Sequence, residues 1–372
     1  MTDSRPAADG CAARRRTASG QFGVKRHAKN PLDAFLVTHL PNVRYLTGFT
    51  GSNAMLLLLP SGESVMFTDP RYALQAPPEV SCPVRISRGP LLKDVAQRVT
   101  RLKLKRLGFE RSRLTFDGHE FLRGALPARG ELEPVSGLVE AMRMVKSEDE
   151  IACIRRSVQT NSRAFERVVR RIRPGKTREC ELAAELEFEM RRLGAEKPAF
   201  ETIVAAGERT AYPHARPSGR ALGVNELLLI DMGATLDGYA SDMTRMLSLG
   251  AAGSEAHHVY GAVAEAQLAA IDAVKPGVTG AHVDRAARRV LKGYGLDKAF
   301  VHSTGHGLGL EIHEGPSLRR NDKTRLEEGM AVTIEPGAYL EGKCGVRIED
   351  TVVVRSGGCE VLTPTSKELL KI

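Results

Sequence analysis

The sequence predicts an α+β protein in which a small α/β domain precedes a larger domain built from a duplicated, pseudo-two-fold unit. Three observations support this prediction. The chain has 372 residues, more than one ordinary domain needs. Short apolar segments alternate with turn residues before residue 140. After that residue, a pattern of helix, turn, helix and strands occurs twice.

The first 29 residues differ from the rest of the chain in charge. They hold seven Lys/Arg and two Asp, a charge of +5, so only +4 of the net +9 belongs to the remainder. No apolar stretch follows Arg14–Arg16, which argues against a secretory signal. We predict that residues 1–29 form a disordered basic extension. The mildly basic remainder gives little support to nucleic-acid binding.

Residues 30–140 have the sequence pattern of a small α/β domain. Ala34–Val37, Ala54–Leu59 and Ser64–Thr68 are predicted strands, separated by turn residues such as Pro60-Ser-Gly62. The spacing of apolar residues predicts a helix over Leu91–Leu102. The alternation of strands and helices is typical of an α/β domain.

The second domain is predicted to span residues 145–372 and to begin with a long helix. Ser147 and Glu150 have the spacing of a capping box, which marks a helix start. Apolar residues then recur at helical spacing as far as Ile172, and Pro174-Gly175 ends the pattern.

This helix end occurs twice. Arg171–Thr177 resembles Ala273–Thr279, 102 residues later, and each segment lies between two helical stretches. The second stretch of each copy ends at a glycine, Gly194 or Gly295. We interpret the pattern as a degenerate duplication, which predicts two pseudo-symmetric halves around a shared cleft.

Composition excludes several classes of protein. The longest apolar run, Ala54–Leu59, is far too short to cross a bilayer, so no membrane partner is expected. The six cysteines show no Cys-x-x-Cys spacing, and in a chain of this size reduced thiols are expected. We therefore predict a cytoplasmic protein.

Four acidic residues occupy matching places in the two copies. Asp231 and Glu335 each close an apolar run, Asp242 begins a predicted strand, and Glu349 lies inside another. A single carboxylate of this kind is usually salt-bridged, whereas four at matching places favour a metal site, because buried ionised carboxylates are otherwise costly. The predicted strands are Leu227–Asp231, Ser241–Ser248, Ala331–Glu335 and Val346–Val353.

Histidines strengthen the prediction of a metal site. His302, His306 and His313 fall within 12 residues among glycines, and His214 lies 17 residues before Asp231. Four carboxylates and one imidazole suit two divalent ions, with manganese favoured and cobalt, iron or zinc as alternatives. A bridged pair about 3.5–4 Å apart would generate hydroxide from water.

These residues and their flanks resemble the pita-bread metallopeptidases, a family that includes methionine aminopeptidase, prolidase and aminopeptidase P. The resemblance spans residues 30–372 and implies a pita-bread catalytic domain. It implies that Asp231 chelates one metal, that Asp242 and Glu349 bridge both, and that His306 and Glu335 complete the other. It also implies catalytic roles for four further residues around the metals: His214, His302, His313 and Arg347.

The amino-terminal motifs narrow the choice within the family. Arg44–Ser52 and Thr68–Tyr72 resemble the creatinase-type N-terminal domain, which methionine aminopeptidases lack. The resemblance therefore implies a peptidase that cleaves before proline and assembles as a homodimer or higher homo-oligomer. Its substrate would be a peptide with proline in second position, whose leaving nitrogen needs a proton from an imidazole.

The compact length and the segment Leu310–Pro316 look more like an Xaa-Pro aminopeptidase than a dipeptidase. We expect an aminopeptidase in which a metal-bridging hydroxide attacks the peptide bond. The alternative is an Xaa-Pro dipeptidase (prolidase), in which Arg319 and Arg320 would hold the free carboxylate of the substrate. An alternative of another class is a non-catalytic pita-bread interaction protein.

Overall fold

The computed structural model describes residues 8–22, 31–127 and 130–372. The chain divides into two units, one ending at Arg143 and the other beginning at Met144. Among the described residues, no helix combines the length and apolarity that a bilayer span requires. Where the structure describes the chain, no disulfide bond joins any of its six cysteines.

The first unit is a mixed six-stranded sheet with helices. Its strand order is β4-β3-β2-β1-β5-β6; β1 pairs antiparallel with β2 and parallel with β5. The helices are α1 Ala8–Ser19, α2 Leu40–Thr47, α3 Ala76–Glu79, α4 Leu91–Arg101, α5 Phe116–Ala125 and α6 Leu138–Met144. The strands are β1 Ala34–Val37, β2 Ala54–Leu58, β3 Ser64–Thr68, β4 Val84–Ile86, β5 Arg106–Glu110 and β6 Glu131–Val135.

Apolar side chains of the sheet form the core of this unit. Leu36, Leu57 and Phe67 pack with Val95 of α4 and Leu122 of α5, and all five are buried. The segments predicted as strands at 34–37, 54–59 and 64–68 are strands, and the helix predicted over 91–102 is α4.

The predicted disorder of residues 1–29 is wrong where the structure describes them, because Ala8–Ser19 is a helix. Polar groups anchor α1 to the rest of its unit. The buried Arg15 guanidinium donates to the carbonyl oxygen of Leu46 at 2.7 Å and to that of Ser81 at 2.9 Å. Ser19 Oγ donates to the Leu59 carbonyl oxygen at 2.8 Å. The remainder of the predicted extension lies outside the described residues.

The second unit contains four α-helices, a short 3-10 helix over Gly207–Ala211 and two main sheets. The sheet orders are β20-β12-β9-β8 and β14-β13-β15-β18-β19, with smaller sheets β11-β10-β7 and β16-β17. The helices are α7 Glu148–Val169, α8 Glu179–Arg192, α9 Ser254–Asp272 and α10 Gly280–Gly293. The strands are β7 Lys197–Pro198, β8 Ile203–Ala206, β9 Glu226–Met232, β10 Ala234–Leu236, β11 Tyr239–Ala240, β12 Met243–Leu249, β13 Gly305–Gly307, β14 Glu314–Leu318, β15 Ala331–Ile334, β16 Gly337–Leu340, β17 Cys344–Arg347, β18 Asp350–Arg355, β19 Gly358–Val361 and β20 Leu370–Lys371.

The two predicted repeats fold in the same way. In each, two helices are joined by a turn whose glycine has positive φ, 80° at Gly175 and 85° at Gly277. Each second helix is followed by another left-handed glycine, Gly194 or Gly295. The predicted capping box is present at the start of α7. Antiparallel strands follow each helix pair, β8-β9-β12 in the first half and β13-β15-β18 in the second.

We expect the anchoring of α1 by Arg15 to be measurable. Arg15→Ala should lower the free energy of unfolding by about 2–4 kcal/mol, because it leaves the buried Leu46 carbonyl oxygen without its charged donor. Arg16→Ala is the matched control, since Arg16 is exposed on the same turn and should change stability by less than about 0.5 kcal/mol. Urea unfolding followed by circular dichroism measures both. Equal losses in the two variants would contradict this role for Arg15.

Candidate active site

The predicted acidic residues of the first half lie on adjacent antiparallel strands. Asp231 is in β9, Asp242 directly precedes β12, and Asp231 stands opposite Thr244 in the β9–β12 ladder. All three side chains are buried. The carboxylates of Asp231 and Asp242 therefore reach the interior from neighbouring strands.

Glu335 and Glu349 of the second half lie where two strand pairs change sheet. β15 pairs with β18, while the next segments along the chain, β16 and β17, pair in a separate sheet. Pro336 lacks a backbone N–H, so the ladder is interrupted directly after Glu335. The predicted strand Val346–Val353 is accordingly two strands, and Glu349 lies in the break between them.

Glycines allow the strand that carries His306 to fit between its neighbours. A Cβ at Gly305 would collide with the carbonyl oxygen of Thr333 in β15. A Cβ at Gly307 would collide with that of Gly315 in β14. The close approach of three backbones thus requires glycine on both sides of His306.

The five predicted metal ligands converge. Asp231, Asp242 and Glu349 offer carboxylate oxygens that lie within 4.8 Å of one another. His306 Nε2 is 3.6 Å from Asp242 Oδ2 and 3.3 Å from Glu335 Oε1. The structure therefore brings together four carboxylates and one imidazole from both halves of the repeat.

Two of these carboxylates are each held by one oxygen only. Arg347 Nη2 donates to Asp231 Oδ2 at 2.6 Å, and Thr244 Oγ1 donates to Glu349 Oε2 at 2.7 Å. Asp231 Oδ1 and Glu349 Oε1 are buried and have no hydrogen-bond partner among the described residues. Buried carboxylate oxygens without donors need a compensating positive charge. The donor set therefore fits divalent cations.

The close packing of buried carboxylates also raises the pKa values of three of them. Burial, together with the carboxylates of Glu349, Asp231 and Glu335, raises the pKa of Asp242 well above its usual range. Burial and the charges of Glu335 and Asp231 likewise raise the pKa of Glu349. Burial raises the pKa of Glu335 to about 7, although Arg347 opposes the rise. A cation is what would keep all of these groups ionised at neutral pH.

His306 is oriented as a metal-binding imidazole. Its Nδ1 lies 3.1 Å from the Gly307 carbonyl oxygen, which assigns the proton to Nδ1 and leaves the Nε2 lone pair facing the carboxylates. Burial lowers the pKa of His306, which favours the neutral form that binds metals.

A hydrogen-bonded chain extends from Asp231 to His302. Arg347 Nη1 donates to the Tyr339 hydroxyl oxygen at 2.7 Å. The Tyr339 hydroxyl lies 2.8 Å from His302 Nε2, and His302 Nδ1 lies 2.8 Å from the Ser303 carbonyl oxygen. Burial, assisted by the charge of Arg347, lowers the pKa of His302 to about 4. His302 is therefore a neutral imidazole at neutral pH, with both ring nitrogens in hydrogen bonds.

All nine predicted site residues line one cavity of about 490 Å³. His214 and His313 are exposed on its wall, and the His313 ring lies 4.3 Å from that of His306, centroid to centroid. Arg319 and Arg320, the predicted carboxylate binders, are exposed and are not among the residues that line the cavity.

Sequence reasoning missed Tyr339 and Thr244. Tyr339 joins Arg347 to His302, and Thr244 donates to Glu349 while accepting from Arg347 Nε at 3.1 Å. Thr244 lies two residues after Asp242, and in extended chain this spacing places both side chains on the same face. That spacing is the sequence signal by which Thr244 could have been predicted as a site residue. Tyr339 has no comparable signal, because it lies in the separate β16–β17 pair.

Comparison with known families agrees with this geometry. The profile of the creatinase/prolidase N-terminal domain matches residues 24–145, and that of metallopeptidase family M24 matches residues 152–356. The second unit, with its duplicated halves and buried carboxylates, is thus a pita-bread metallopeptidase domain. The chain belongs to metallopeptidase family M24, and the predicted fold class is confirmed.

Individual relatives cover nearly the whole chain. An Xaa-Pro dipeptidase from Pyrococcus horikoshii is 37% identical over 92% of this chain and 95% of its own length. The structure of an Xaa-Pro dipeptidase from Bacillus anthracis is 37% identical, with a TM-score of 0.91 over 98% of this chain and 100% of that one. An X-Pro aminopeptidase structure from Thermotoga maritima is also 37% identical, with a TM-score of 0.86 over 92% and 98%.

Removal of one central carboxylate should disassemble the metal site. We expect Asp242→Ala to lose bound metal and peptidase activity together, because Asp242 lies against both His306 and the Asp231–Glu349 pair. Elemental analysis after dialysis measures the metal content, and Asp237→Ala, a turn residue outside the cavity lining, is the control. Full activity of Asp242→Ala after chelator treatment would contradict the assignment.

The raised carboxyl pKa values also predict how stability depends on pH. In metal-free protein the folded state holds protons more tightly than the unfolded chain, so the stabilisation is complete at low pH. It is lost as pH rises through the folded pKa values, about 7 for Glu335. Urea unfolding should therefore show stability falling between about pH 5 and pH 8 without metal, and much less with saturating Mn²⁺. If the free energy of unfolding changed with pH in the same way with and without metal, the prediction would be contradicted.

Proposed function

We propose that the protein is a proline-specific metallopeptidase that hydrolyses the bond before proline and that its preferred substrate is an Xaa-Pro dipeptide. The observation that carries the proposal is the convergence of four carboxylates and His306 in a cavity also lined by His214, His302 and His313. Relatives described as Xaa-Pro dipeptidases cover nearly the whole chain.

The aminopeptidase expected from the sequence is less well supported than its alternative. Its main support is the Thermotoga maritima aminopeptidase structure, which is as similar in sequence as the Bacillus anthracis dipeptidase. Xaa-Pro aminopeptidase activity therefore stays as the second candidate. A non-catalytic interaction protein is disfavoured, since a chain without catalysis has no need to keep four carboxylates buried together.

The proposed ligands of two divalent ions are Asp231, Asp242, His306, Glu335 and Glu349. The oxygen-rich donor set favours manganese. When bound, the ions lower the pKa of water and polarise the scissile carbonyl. Arg347 orients Asp231 through the 2.6 Å hydrogen bond from Nη2 to Oδ2. Hydrogen bonds to Tyr339 and Thr244 hold Arg347 in place. These contacts fix the ligand geometry before substrate arrives.

His313 and His214 are proposed to contact substrate and to deliver a proton to the leaving proline nitrogen. Both are exposed on the cavity wall, where a peptide can reach them. Partial desolvation by the cavity wall and the neighbouring His306 lower the pKa of His313, which makes it a weak base that releases a proton readily. His302, with both ring nitrogens bonded, is proposed as a positioning residue.

Two further properties are proposed: assembly as a homodimer or higher homo-oligomer, which the family resemblance implies, and action in the cytoplasm, which the use of cysteine favours. The six cysteines form no disulfide bond within the described part of the chain, which fits a reducing compartment. Light scattering of the purified protein tests the dimer directly.

The proposed specificity predicts the outcome of a substrate comparison. With Mn²⁺ present, Ala-Pro should be cleaved efficiently to alanine and proline, and Ala-Pro-Ala should be cleaved at least about tenfold less efficiently, since one lost charged contact accounts for such a factor. Chromatography of released alanine measures both. Ala-Ala controls for the requirement for proline.

Faster cleavage of Ala-Pro-Ala than of Ala-Pro would instead establish the aminopeptidase. Cleavage of Ala-Ala at the same rate as Ala-Pro would overturn proline specificity. Failure to cleave any of the three peptides by metal-loaded protein would overturn the proposed function as a whole.

A further inference from the structure

Glu179, the first residue of α8, carries a carboxylate that is fully buried although it does not line the cavity. Its two oxygens accept from four donors. These are Ala206 N at 3.0 Å, Arg209 Nε at 3.1 Å, Ser218 N at 3.0 Å and Ser218 Oγ at 2.6 Å. Charge-assisted bonds of this kind are strong, because both the low local dielectric and the full charge favour them. Glu179 is therefore a centre of local organisation.

All four donors belong to one stretch of chain, residues 206–218, which we call the His214 segment. Ala206 is its first residue and Ser218 its last, so a single carboxylate closes both ends. Arg209 extends the anchoring inwards, because its Nη2 donates to the Arg216 carbonyl oxygen at 2.6 Å. His214 lies between these anchored points and is exposed on the cavity wall.

The opposite side of the His214 segment is held by β17, next to the proposed metal ligands. Gly345 N donates to Thr210 Oγ1 at 2.7 Å, and a Cβ at Gly345 would collide with the Thr210 carbonyl oxygen. Arg347 donates to the Pro213 carbonyl oxygen at 3.2 Å through Nη1 and to Asp231 through Nη2. The place of His214 relative to the ligands is thus set from both sides of its segment.

The second half of the duplicated domain contains a similar arrangement around its own histidine. Asp284 in α10 is fully buried and accepts from Thr304 Oγ1 at 2.9 Å and from Arg288 Nε at 2.7 Å. Arg288 Nη2 donates in turn to the His302 carbonyl oxygen at 2.5 Å. Asp284 stands at a different position in its helix from Glu179. In each half, however, an acid of the second helix and an arginine hold a segment that carries a cavity histidine.

Another buried acid of α8 lacks this connection to the cavity. Glu189 has a side chain that is 1% exposed, and it pairs with Arg167 at 2.7 Å and with Arg192 at 3.5 Å. None of these three residues lines the cavity. Glu189 therefore provides the comparison for an acid that only stabilises the fold.

We propose that Glu179 is a positioning residue for the peptidase reaction, which closes the His214 segment and so fixes the imidazole of His214 on the cavity wall. This inference rests on the proposed function, in which His214 contacts substrate. Glu179 itself lies outside the cavity and acts only through His214. Its effect is large because a displacement of about 1 Å in a contacting group can lower a rate about 100-fold.

The test begins with Glu179→Gln, which keeps the size of the side chain but turns one accepting oxygen into an amide that cannot accept. In manganese-loaded protein, kcat/KM for Ala-Pro should fall about 10- to 100-fold while the bound metal stays unchanged. Glu189→Gln is the matched control and should change kcat/KM less than about twofold. Ser218→Ala removes only the Oγ bond and should lower kcat/KM about two- to fivefold, so it replaces Glu179→Gln if that variant does not fold.

A double-mutant cycle with His214→Ala separates positioning from general destabilisation. If Glu179 acts through His214, Glu179→Gln should lower kcat/KM less than about threefold further once the imidazole is gone. Hydrogen exchange followed by mass spectrometry tests the anchoring without activity. Exchange in residues 206–218 should be at least about tenfold faster in Glu179→Gln and unchanged in Glu189→Gln.

Full multiplication of the two losses in the cycle would overturn the inference, as would wild-type kcat/KM in both Glu179→Gln and Ser218→Ala. Unchanged exchange in residues 206–218, or equal acceleration in Glu179→Gln and Glu189→Gln, would overturn the anchoring whether or not the protein is active. Failure of the proposed function gives a different result. If wild-type protein cleaves no Xaa-Pro peptide while exchange rises only in Glu179→Gln, the function falls and the anchoring of the His214 segment stands.

Discussion

Mutual repulsion among buried carboxylates is the constraint on which the catalytic unit depends. Asp231, Asp242, Glu335 and Glu349 share one cavity, and burial with their mutual charges raises the pKa values of the last three. Arg347 bonds to only one of the four, Asp231. Two buried oxygens, on Asp231 and Glu349, receive no hydrogen bond from any residue that the structure describes. Bound cations are the compensation that makes this arrangement stable at neutral pH, so metal binding and folding of the site are linked.

The duplicated fold provides the geometry that this constraint requires. The first half supplies two carboxylates from adjacent strands, and the second supplies two from a point where both strands of a pair change sheet. Arg245 joins the halves: its buried guanidinium donates to the Glu349 carbonyl oxygen at 2.5 Å and to Asp350 Oδ1 at 2.7 Å. The backbone at Glu349 is thereby fixed although it belongs to no strand.

Much of this site could be predicted from the sequence. Asp231 and Glu335 end apolar runs at matching places in a repeat, and His306 lies among glycines, so the pattern favours a shared metal site, while the resemblance implies the individual ligands. The break at Glu349 could not be predicted, because the β-branched residues around it have the composition of one strand. Helix α1 was missed for a related reason: it is anchored by the Arg15 guanidinium, and composition indicates a disordered segment.

The central claim is that the five converging side chains bind two divalent ions whose charge replaces protons on the carboxylates. Titration of metal-free protein with Mn²⁺, with bound metal counted by elemental analysis and proton release followed by pH indicator, tests it most directly. The account predicts two ions bound per chain and proton release at pH 7, because Glu335 with a pKa of about 7 is then partly protonated. A chain that binds no ion, or that cleaves Xaa-Pro peptides fully while metal-free, would contradict it.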